Sequence, residues 1–238
     1  SSESDVNVYD ESDGDFTLVS SNTVTDIDGN VYQIIQIGNQ EWMAENLKVT
    51  HYRDGSAILN VTNQSSWSNT NVGAYCIYND NASNEVDTYG CLYNNYAVID
   101  ARNIAPEGWH VATDDEWIEL EMALGMSQSD ANAEYFRGTN EGSKLAGHAD
   151  LWTNGPLEND SEFGSSGFTG VPGGSRSQII GYDYNGIDDS GNFWTATEIY
   201  SGELSFDAWN RRLSFSNSTI GRYRMDRNLG YSVRCVRD

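Results

Sequence analysis

Lysine, proline, histidine and cysteine are all scarce in this sequence. Its 238 residues include three prolines, three histidines, three cysteines and only two lysines. No stretch approaches the roughly 18 consecutive apolar residues of a membrane-spanning helix, so the sequence predicts none. The cysteines show neither CxxC spacing nor a neighbouring histidine cluster, and this excludes the usual zinc-site patterns.

Positive charge is also scarce, and it is unevenly placed. Thirty-six acidic residues against 13 basic ones give a net charge of −23. A nucleic-acid binder needs a basic face to neutralise phosphates, so we expect no nucleic-acid partner. Seven of the eleven arginines lie between Arg211 and Asp238, a stretch of charge +5 in a chain that is otherwise −28. These arginines either neutralise the chain's own acids or form a patch that binds a carboxylate or sulfate.

Patterns typical of common catalytic sites are missing. The histidines, at positions 51, 110 and 148, stand near no GxSxG elbow, and no Walker or dinucleotide glycine pattern occurs. Adjacent acids such as Asp114 and Asp115 are not the facing pair that glycoside hydrolysis needs. His110, between Trp109 and Val111, is predicted to be a packed structural residue. We therefore expect a protein that is not an enzyme.

The order of local patterns predicts an α+β fold in one domain. Residues 1–22 contain six acids and no base, which indicates a flexible acidic leader before a domain at 23–238. Asp28-Gly29 between two β-prone runs predicts a hairpin with a type I′ turn. A capping box of Thr113 and Glu116, with Gly125 as a stop, predicts a helix at 114–124. Shorter helices are predicted at 129–137 and 141–147, and short strands with long loops after residue 148.

Two oxygen-rich loops are candidates for calcium, the one cofactor that the sequence suggests; none is expected to be required. The run Asp26-Ile27-Asp28-Gly29-Asn30 begins like an EF-hand loop but has Ile37 at the twelfth position, so a hairpin turn is the better interpretation. The second loop is either a solvated loop or a calcium site, and its candidate ligands are Asp183, Asp188, Asp189 and Asn192.

The cysteine pairing is open from sequence alone. Three pairings of Cys76, Cys91 and Cys235 are possible, and three buried thiols are the alternative. Cys76 and Cys91 lie in similar aromatic segments, AYCIYND and YGCLYNN. This similarity favours a Cys76–Cys91 disulfide without excluding the others. The seven tryptophans are spread along the chain, and most are predicted to be core residues.

Seven segments together resemble one known family. They are IGNQEWMAENLK, YGCLYNNYAV, APEGWHVATDDEW, GFTGVPGGSR, GNFWTAT, AWNRRL and GYSVRCVRD. In this order they resemble the Fibrobacter succinogenes major paralogous domain of bacterial secreted and surface proteins, over about residues 24–238. The resemblance implies a C-type-lectin-like fold: an antiparallel sheet, two or three short helices and long irregular loops. It also implies an extracellular or cell-surface location in bacteria, with attachment through a lipid anchor or a larger assembly.

This sequence departs from the family and from related folds at identifiable positions. Ala105 stands where family members often have a cysteine before the PxGWH motif. The Glu-Pro-Asn and Trp-Asn-Asp motifs of calcium-dependent lectins are absent, so calcium-dependent sugar binding is not implied.

The sequence favours a surface recognition or adhesion module that binds a protein or glycan on another surface. Stiff aromatic residues among Asn, Ser, Tyr and Gly loops are typical of adaptable binding surfaces, and in diversified relatives the ligand surface precedes the last strand. The predicted ligand-binding residues are Tyr182, Tyr184, Trp194, Trp209, Arg211, Arg222, Tyr223, Arg224, Asp226, Arg227 and Asn228. The alternatives are a structural subunit of a surface filament and a cysteine-dependent oxidase similar to formylglycine-generating enzymes.

Overall fold

The computed structural model describes residues 22–80, 85–179, 181, 183–200 and 206–238. The predicted leader, apart from Asn22, and the predicted ligand residue Tyr182 lie outside the described residues. None of the helices in the described ranges has the length and apolarity required to cross a membrane.

The described chain is a mixed α+β structure in which most strand pairs are antiparallel. The strands in chain order are β1 (Thr23–Thr25), β2 (Val31–Ile37), β3 (Gln40–Met43), β4 (Leu59–Asn60), β5 (Ala74–Cys76), β6 (Leu92–Tyr93), β7 (Trp109–Val111), β8 (Tyr135–Arg137), β9 (Gly173–Arg176), β10 (Tyr184–Ile187), β11 (Ser190–Tyr200), β12 (Phe206–Ser214), β13 (Asn217–Asp226) and β14 (Cys235–Arg237). The α-helices are α1 (Gln64–Ser68), α2 (Glu85–Tyr89), α3 (Asn95–Val98), α4 (Asp114–Ala123), α5 (Gln128–Ala131) and α6 (Glu141–Leu145). Short 3-10 turns occur at Tyr78–Asp80 and Ala149–Leu151.

Three sheets organise these strands. The terminal sheet has the order β1-β2-β3-β14-β7, so the last strand lies between two early ones. The large sheet has the order β10-β9-β11-β12-β13-β8, and the small sheet has the order β4-β5-β6. Among these pairs, β9 with β11 and β4 with β5 are parallel. The C-terminal strand thus closes the fold onto its beginning.

The predicted hairpin at Asp28-Gly29 forms, but with another turn. Strands β1 and β2 pair with Thr25 opposite Val31, and the backbone amide of Gly29 donates to the carbonyl of Asp26 at 3.1 Å. Gly29 has φ +85°, whereas Asp28 has no positive φ. A type I′ turn requires positive φ at both central residues, so this is a three-residue loop with glycine in the left-handed position. The Asp26 carboxylate accepts from the amides of Asp28 and Asn30 and thereby closes the turn.

Helix α4 confirms the prediction made from its capping box. The Thr113 side chain accepts from the Glu116 amide, and the Glu116 carboxylate accepts from the Thr113 amide at 2.7 Å. These two bonds satisfy N–H groups that have no partner within the helix. The last turn ends at Leu124 and Gly125, and Gly125 has φ +114°, a conformation that glycine adopts without strain.

The predicted helix at 129–137 is wrong in its second half. Helix α5 ends at Ala131, and Tyr135–Arg137 form strand β8 at the edge of the large sheet. Tyr135 has φ +67°, which no right-handed helix accommodates. Pairing of Phe136 with Gly221 across β13 outweighs the local helical preference. The predicted helix at 141–147 is present as the shorter α6.

An aromatic cluster joins α4 to the two larger sheets. The Trp117 ring of α4 lies 5.2 Å from Trp42 of β3 and 5.7 Å from Phe193 of β11, measured between ring centroids. Phe168 packs edge-on against Trp117 at 5.4 Å. Such geometry adds about 0.5–1.5 kcal/mol per pair beyond area burial. Six of the seven tryptophans are buried and Trp209 is half-buried, which confirms that most are core residues.

Candidate ligand-binding surface

Strands β12 and β13 carry the arginine-rich segment on two opposite faces of the large sheet. Side chains alternate between faces along a strand, so the neighbours Arg211 and Arg212 point in opposite directions. Arg211 and Arg222 are directly opposed in register and face helix α4. Arg212 and its opposed partner Gly221 lie on the other face. The surface chemistry of the segment follows from this division.

The face toward α4 holds a buried charge network. Arg211 is fully buried, and its guanidinium lies 2.6 Å from Asp114 and 2.6 Å from Glu121. Arg222 contacts the other Asp114 oxygen at 2.6 Å, and Arg137 contacts Glu121 at 2.5 Å. Burial raises the pKa of Asp114, but the hydrogen bonds and charges of the two arginines outweigh it and hold that pKa below its ordinary value. The network ties α4 to β8, β12 and β13.

Four of the predicted ligand residues are therefore not offered to a ligand in this structure. Trp194 is fully buried and donates from Nε1 to the Tyr93 carbonyl at 2.8 Å. Arg211 and Arg222 belong to the buried network. Arg227 is 7% exposed and forms an ion pair with Glu198. These four residues were predicted because their segment is rich in arginine and aromatic residues and lies before the last strand. Their polar groups instead form hydrogen bonds and ion pairs within the fold.

The exposed Arg224 and half-buried Trp209 lie together on the same face as the buried network. Trp209 is opposite Arg224 in register, and the guanidinium carbons of Arg222 and Arg224 lie 3.6 and 5.0 Å from its ring centroid. Arg224 also forms an ion pair with Glu134. This ladder of stacked arginine and tryptophan is satisfied internally.

The remaining predicted ligand residues are dispersed. Tyr184, in β10, donates from its hydroxyl to Asp80 at 2.7 Å. Asp226 is exposed at the end of β13, and its carboxylate accepts from the Asn228 amide at 2.8 Å. Asn228 donates in turn to the Thr70 carbonyl at 2.6 Å. The structure does not bring these residues and Tyr223 to one site.

The predicted calcium ligands lie in and around the β10–β11 turn. Asp183, Asp188 and Asp189 are exposed, whereas Asn192 is buried and donates from Nδ2 to the Gly174 carbonyl at 3.1 Å. Within the described ranges, no three His, Cys, Asp or Glu side chains come together as a metal site. Calcium binding here stays a prediction from sequence.

The predicted Cys76–Cys91 disulfide is absent, and all three cysteines are buried free thiols. Cys76 is opposite Leu92 across β5 and β6, and these two side chains share one hydrophobic cluster. Cys91, next to Leu92, lies in a different cluster with Cys235. Cys76 and Cys91 thus occupy opposite faces of the small sheet, which corrects the prediction because a disulfide needs Cβ atoms about 3.5–4.5 Å apart. Burial raises the pKa of each thiol, to about 12 for Cys76 and Cys91.

The opposite face of the large sheet presents a group of partly exposed aromatic side chains near the C-terminal strands. We call it the aromatic face. It consists of Tyr135, Phe136, Asn210, Arg212, Gly221 and Tyr223. Phe136, Gly221 and Arg212 are directly opposed across β8, β13 and β12, while Asn210 is opposite Tyr223. Tyr135 is opposite Arg222 in register, but its ring contacts the Tyr223 ring, and the residue is 67% exposed.

Gly221 allows the Tyr223 ring to lie across the sheet. A methyl group placed on Gly221 would lie 2.5 Å from Cε2 of Tyr223 and 3.4 Å from Cβ of Arg212, so the ring and the arginine stem flank the same glycine. The rings of Tyr135 and Phe136 stand at 80° and 84° to the Tyr223 ring, with centroids 5.7 and 5.9 Å away. The Tyr223 ring is thus in contact with two nearly perpendicular aromatic rings.

Arg212 is the cation of this face, and sequence reasoning missed it. It is exposed, and no carboxylate of the described residues lies within ion-pair distance of it. Five neighbouring arginines of the C-terminal segment do have carboxylate partners; they are Arg211, Arg222, Arg224, Arg227 and Arg237. Burial raises the pKa of Tyr223 above its ordinary value, and the positive charge of Arg212 opposes part of that rise. Side chains alternate between the two faces of a strand, and this alternation in Arg211-Arg212 could have identified Arg212 from the sequence.

A separate cavity of about 440 Å³ lies over Arg234, lined by Glu45, Asp87, His148 and Asp150. The Arg234 guanidinium is fully buried and donates to backbone carbonyls, including that of Phe168 at 2.6 Å. Its role in the described structure is to join the β3 end to the loop before β9, and the acidic rim disfavours anions.

Comparison of the sequence with models of known protein families identifies the family of this chain. Residues 35–237 match the Fibrobacter succinogenes major domain. The chain belongs to this family. No curated protein and no solved structure matches the chain. In this Fibrobacter succinogenes major domain, the matched region includes both faces of the large sheet and the buried network.

Proposed function

We propose that this protein is an exported bacterial recognition module with a C-type-lectin-like fold, and that the aromatic face binds its ligand. The fold assignment is supported by the last strand pairing between β3 and β7 and by the short helices that flank antiparallel sheets. The family resemblance supports a location outside the cell, through a lipid anchor or a larger assembly.

One observation carries the binding proposal: in a strongly acidic chain, an exposed arginine that has no carboxylate partner among the described residues stands beside a cluster of partly exposed aromatic rings. The other guanidinium groups of the C-terminal segment form ion pairs or hydrogen bonds within the protein. At Arg212 the charge is available, and rigid aromatic rings supply contact area at low entropic cost. A ligand that covers Tyr223 and Tyr135 also gains a charge-assisted hydrogen bond from Arg212.

A role as a cysteine-dependent oxidase is disfavoured by the same structure. The three thiols are buried with raised pKa values, whereas a reactive thiol is an accessible one with a lowered pKa. We therefore propose binding, not catalysis.

The test is a binding screen of the full chain against arrayed glycans and surface proteins, with and without calcium. Tyr223→Ala is expected to remove binding of the selected ligand while leaving the unfolding transition cooperative. Arg224→Gln, on the opposite face of the same strand, is the matched control and is expected to bind normally. If Tyr223→Ala binds as well as the unchanged protein, the aromatic face is not the site. Size-exclusion chromatography in parallel identifies a self-assembling structural subunit.

A further inference from the structure

The charge of the aromatic face limits how many anionic groups its ligand carries. Arg212 is the one described cation of that face, and the residues outside the C-terminal segment carry −28. A polyanion approaching the face meets repulsion from the rest of the protein. A ligand with one carboxylate gains the arginine contact and meets far less repulsion.

The Tyr223 ring is suited to stacking against a saturated ring. It covers Gly221 so closely that even a methyl group there would overlap it, and Tyr223 is half-buried. The face of an aromatic ring carries negative quadrupole charge, which attracts the weakly positive C–H groups of a sugar ring. The rings of Tyr135 and Phe136 contact the Tyr223 ring nearly perpendicularly, so a sugar ring that stacks on Tyr223 lies next to them.

An unsatisfied acceptor lies in the same face. Asn210 is 1% exposed, and its Oδ1 has no hydrogen-bond partner among the described residues. Buried acceptors nearly always have a donor, and an unmet one is costly. Asn210 is opposite Tyr223 in one strand pair and the fully buried Trp194 in the other, so this acceptor lies beneath the surface and the direct contacts of a ligand are with Arg212 and Tyr223.

A peptide fits the face less well. Peptides that bind sheets use the main-chain groups of an edge strand. Strands β12 and β13 already pair on both sides, and the edge strand β8 is only three residues long, so the aromatic face offers little free backbone for a peptide to pair with.

From these observations we infer that the aromatic face binds a sugar ring bearing a single carboxylate, a uronic acid at the end of an otherwise neutral glycan. The carboxylate pairs with Arg212, and the ring stacks on Tyr223. This inference rests on the proposed function and specifies its ligand class.

The experiment compares galacturonate with methyl galactoside, which shares the ring but lacks the charge, by NMR titration of the full chain. Galacturonate is expected to bind about tenfold more tightly, the ratio that one charge-assisted contact supplies. Arg212→Gln is expected to remove that ratio and leave methyl galactoside binding unchanged, whereas Arg224→Gln keeps the ratio. Tyr223→Ala is expected to weaken both sugars about tenfold.

The outcomes separate the inference from the proposed function. Equal affinity for the two sugars, with Tyr223→Ala weakening both, overturns the carboxylate assignment and keeps the face. An acidic peptide that binds in an Arg212-dependent way when neither sugar does overturns the sugar assignment and also keeps the face. If no ligand from the screen responds to either Tyr223→Ala or Arg212→Gln, both proposals fail.

Discussion

Removing the charge of Asp114 tests whether the buried network holds α4 onto the large sheet. In Asp114→Asn the carboxylate that Arg211 and Arg222 both contact at 2.6 Å becomes a neutral amide. Removing one partner of a buried ion pair costs about 3–5 kcal/mol because the remaining charge stays buried. Arg211 keeps Glu121, and Arg222 keeps the Asn132 carbonyl at 3.1 Å. We therefore expect the lower end, about 3 kcal/mol.

The matched control is Asp115→Asn, one position along the same helix. Asp115 is exposed in the first turn, so its neutralisation removes only a helix-dipole contribution of about 0.3–1 kcal/mol. Urea denaturation with an unchanged m value gives the difference in free energy of unfolding. At this chain length about 3 kcal/mol corresponds to a melting temperature lower by roughly 6–12 °C. Equal unfolding free energies for the two variants, within about 0.5 kcal/mol, would refute the network's stabilising role.

Three further predictions concern protonation, thiols and metal. The hydrogen bond to Glu116 at 2.6 Å, opposed by burial and aided by Asp238, raises the pKa of His110 to about 9. Below pH 6.5 the protonated His110 contributes its full stabilisation to the fold, and this contribution is lost as the pH rises toward 9. His110→Gln is expected to flatten the dependence of melting temperature on pH between these values, and an unaltered dependence would contradict the assignment. A thiol reagent is expected to label no cysteine in the native protein and three in denaturant, and two natively reactive thiols would revive the oxidase alternative. If the β10–β11 turn binds calcium, calcium raises the melting temperature and Asp188→Asn removes the rise, whereas identical melts in calcium and chelator exclude the site.

The elements that sequence predicted correctly are those whose local chemistry is self-contained. The bonds of the capping box join residues three positions apart, so Thr113 and Glu116 specify the start of α4 wherever the helix packs. The Asp28-Gly29 hairpin is similar, although sequence did not reveal that Asp26 closes the loop and changes the turn type. Strand β8 is the opposite case. Its pairing with β13 joins residues more than eighty positions apart, and no pattern within residues 129–137 contains that information.

The sequence indicated the region of the candidate site, the β12–β13 segment, but not its exposed cation, Arg212. Position before the last strand and an excess of arginine and tyrosine indicated the β12–β13 segment, and of the predicted ligand residues Tyr223 lies on the aromatic face. Composition does not distinguish Arg211 from Arg212. That distinction depends on which face of β12 meets α4, and this is set by the distant acids Asp114 and Glu121. The misassigned disulfide has the same origin, because Cys76 and Cys91 are similar in sequence but point to opposite faces of a sheet.

An acidic chain with few bases has a reason to place them where the fold needs them. A buried acid such as Asp114 is costly without a partner, and each arginine used this way is lost to ligand binding. Five arginines of the C-terminal segment are paired with the protein's own acids. Arg212 is informative because its exposure has no structural explanation within the described residues. Arg212 lies beside accessible rings instead of beside an acid, although acids outnumber bases by 36 to 13. If Arg212→Gln left the unfolding free energy unchanged and removed the preference for the carboxylate-bearing ligand, selection of this position for recognition would be the explanation that remains.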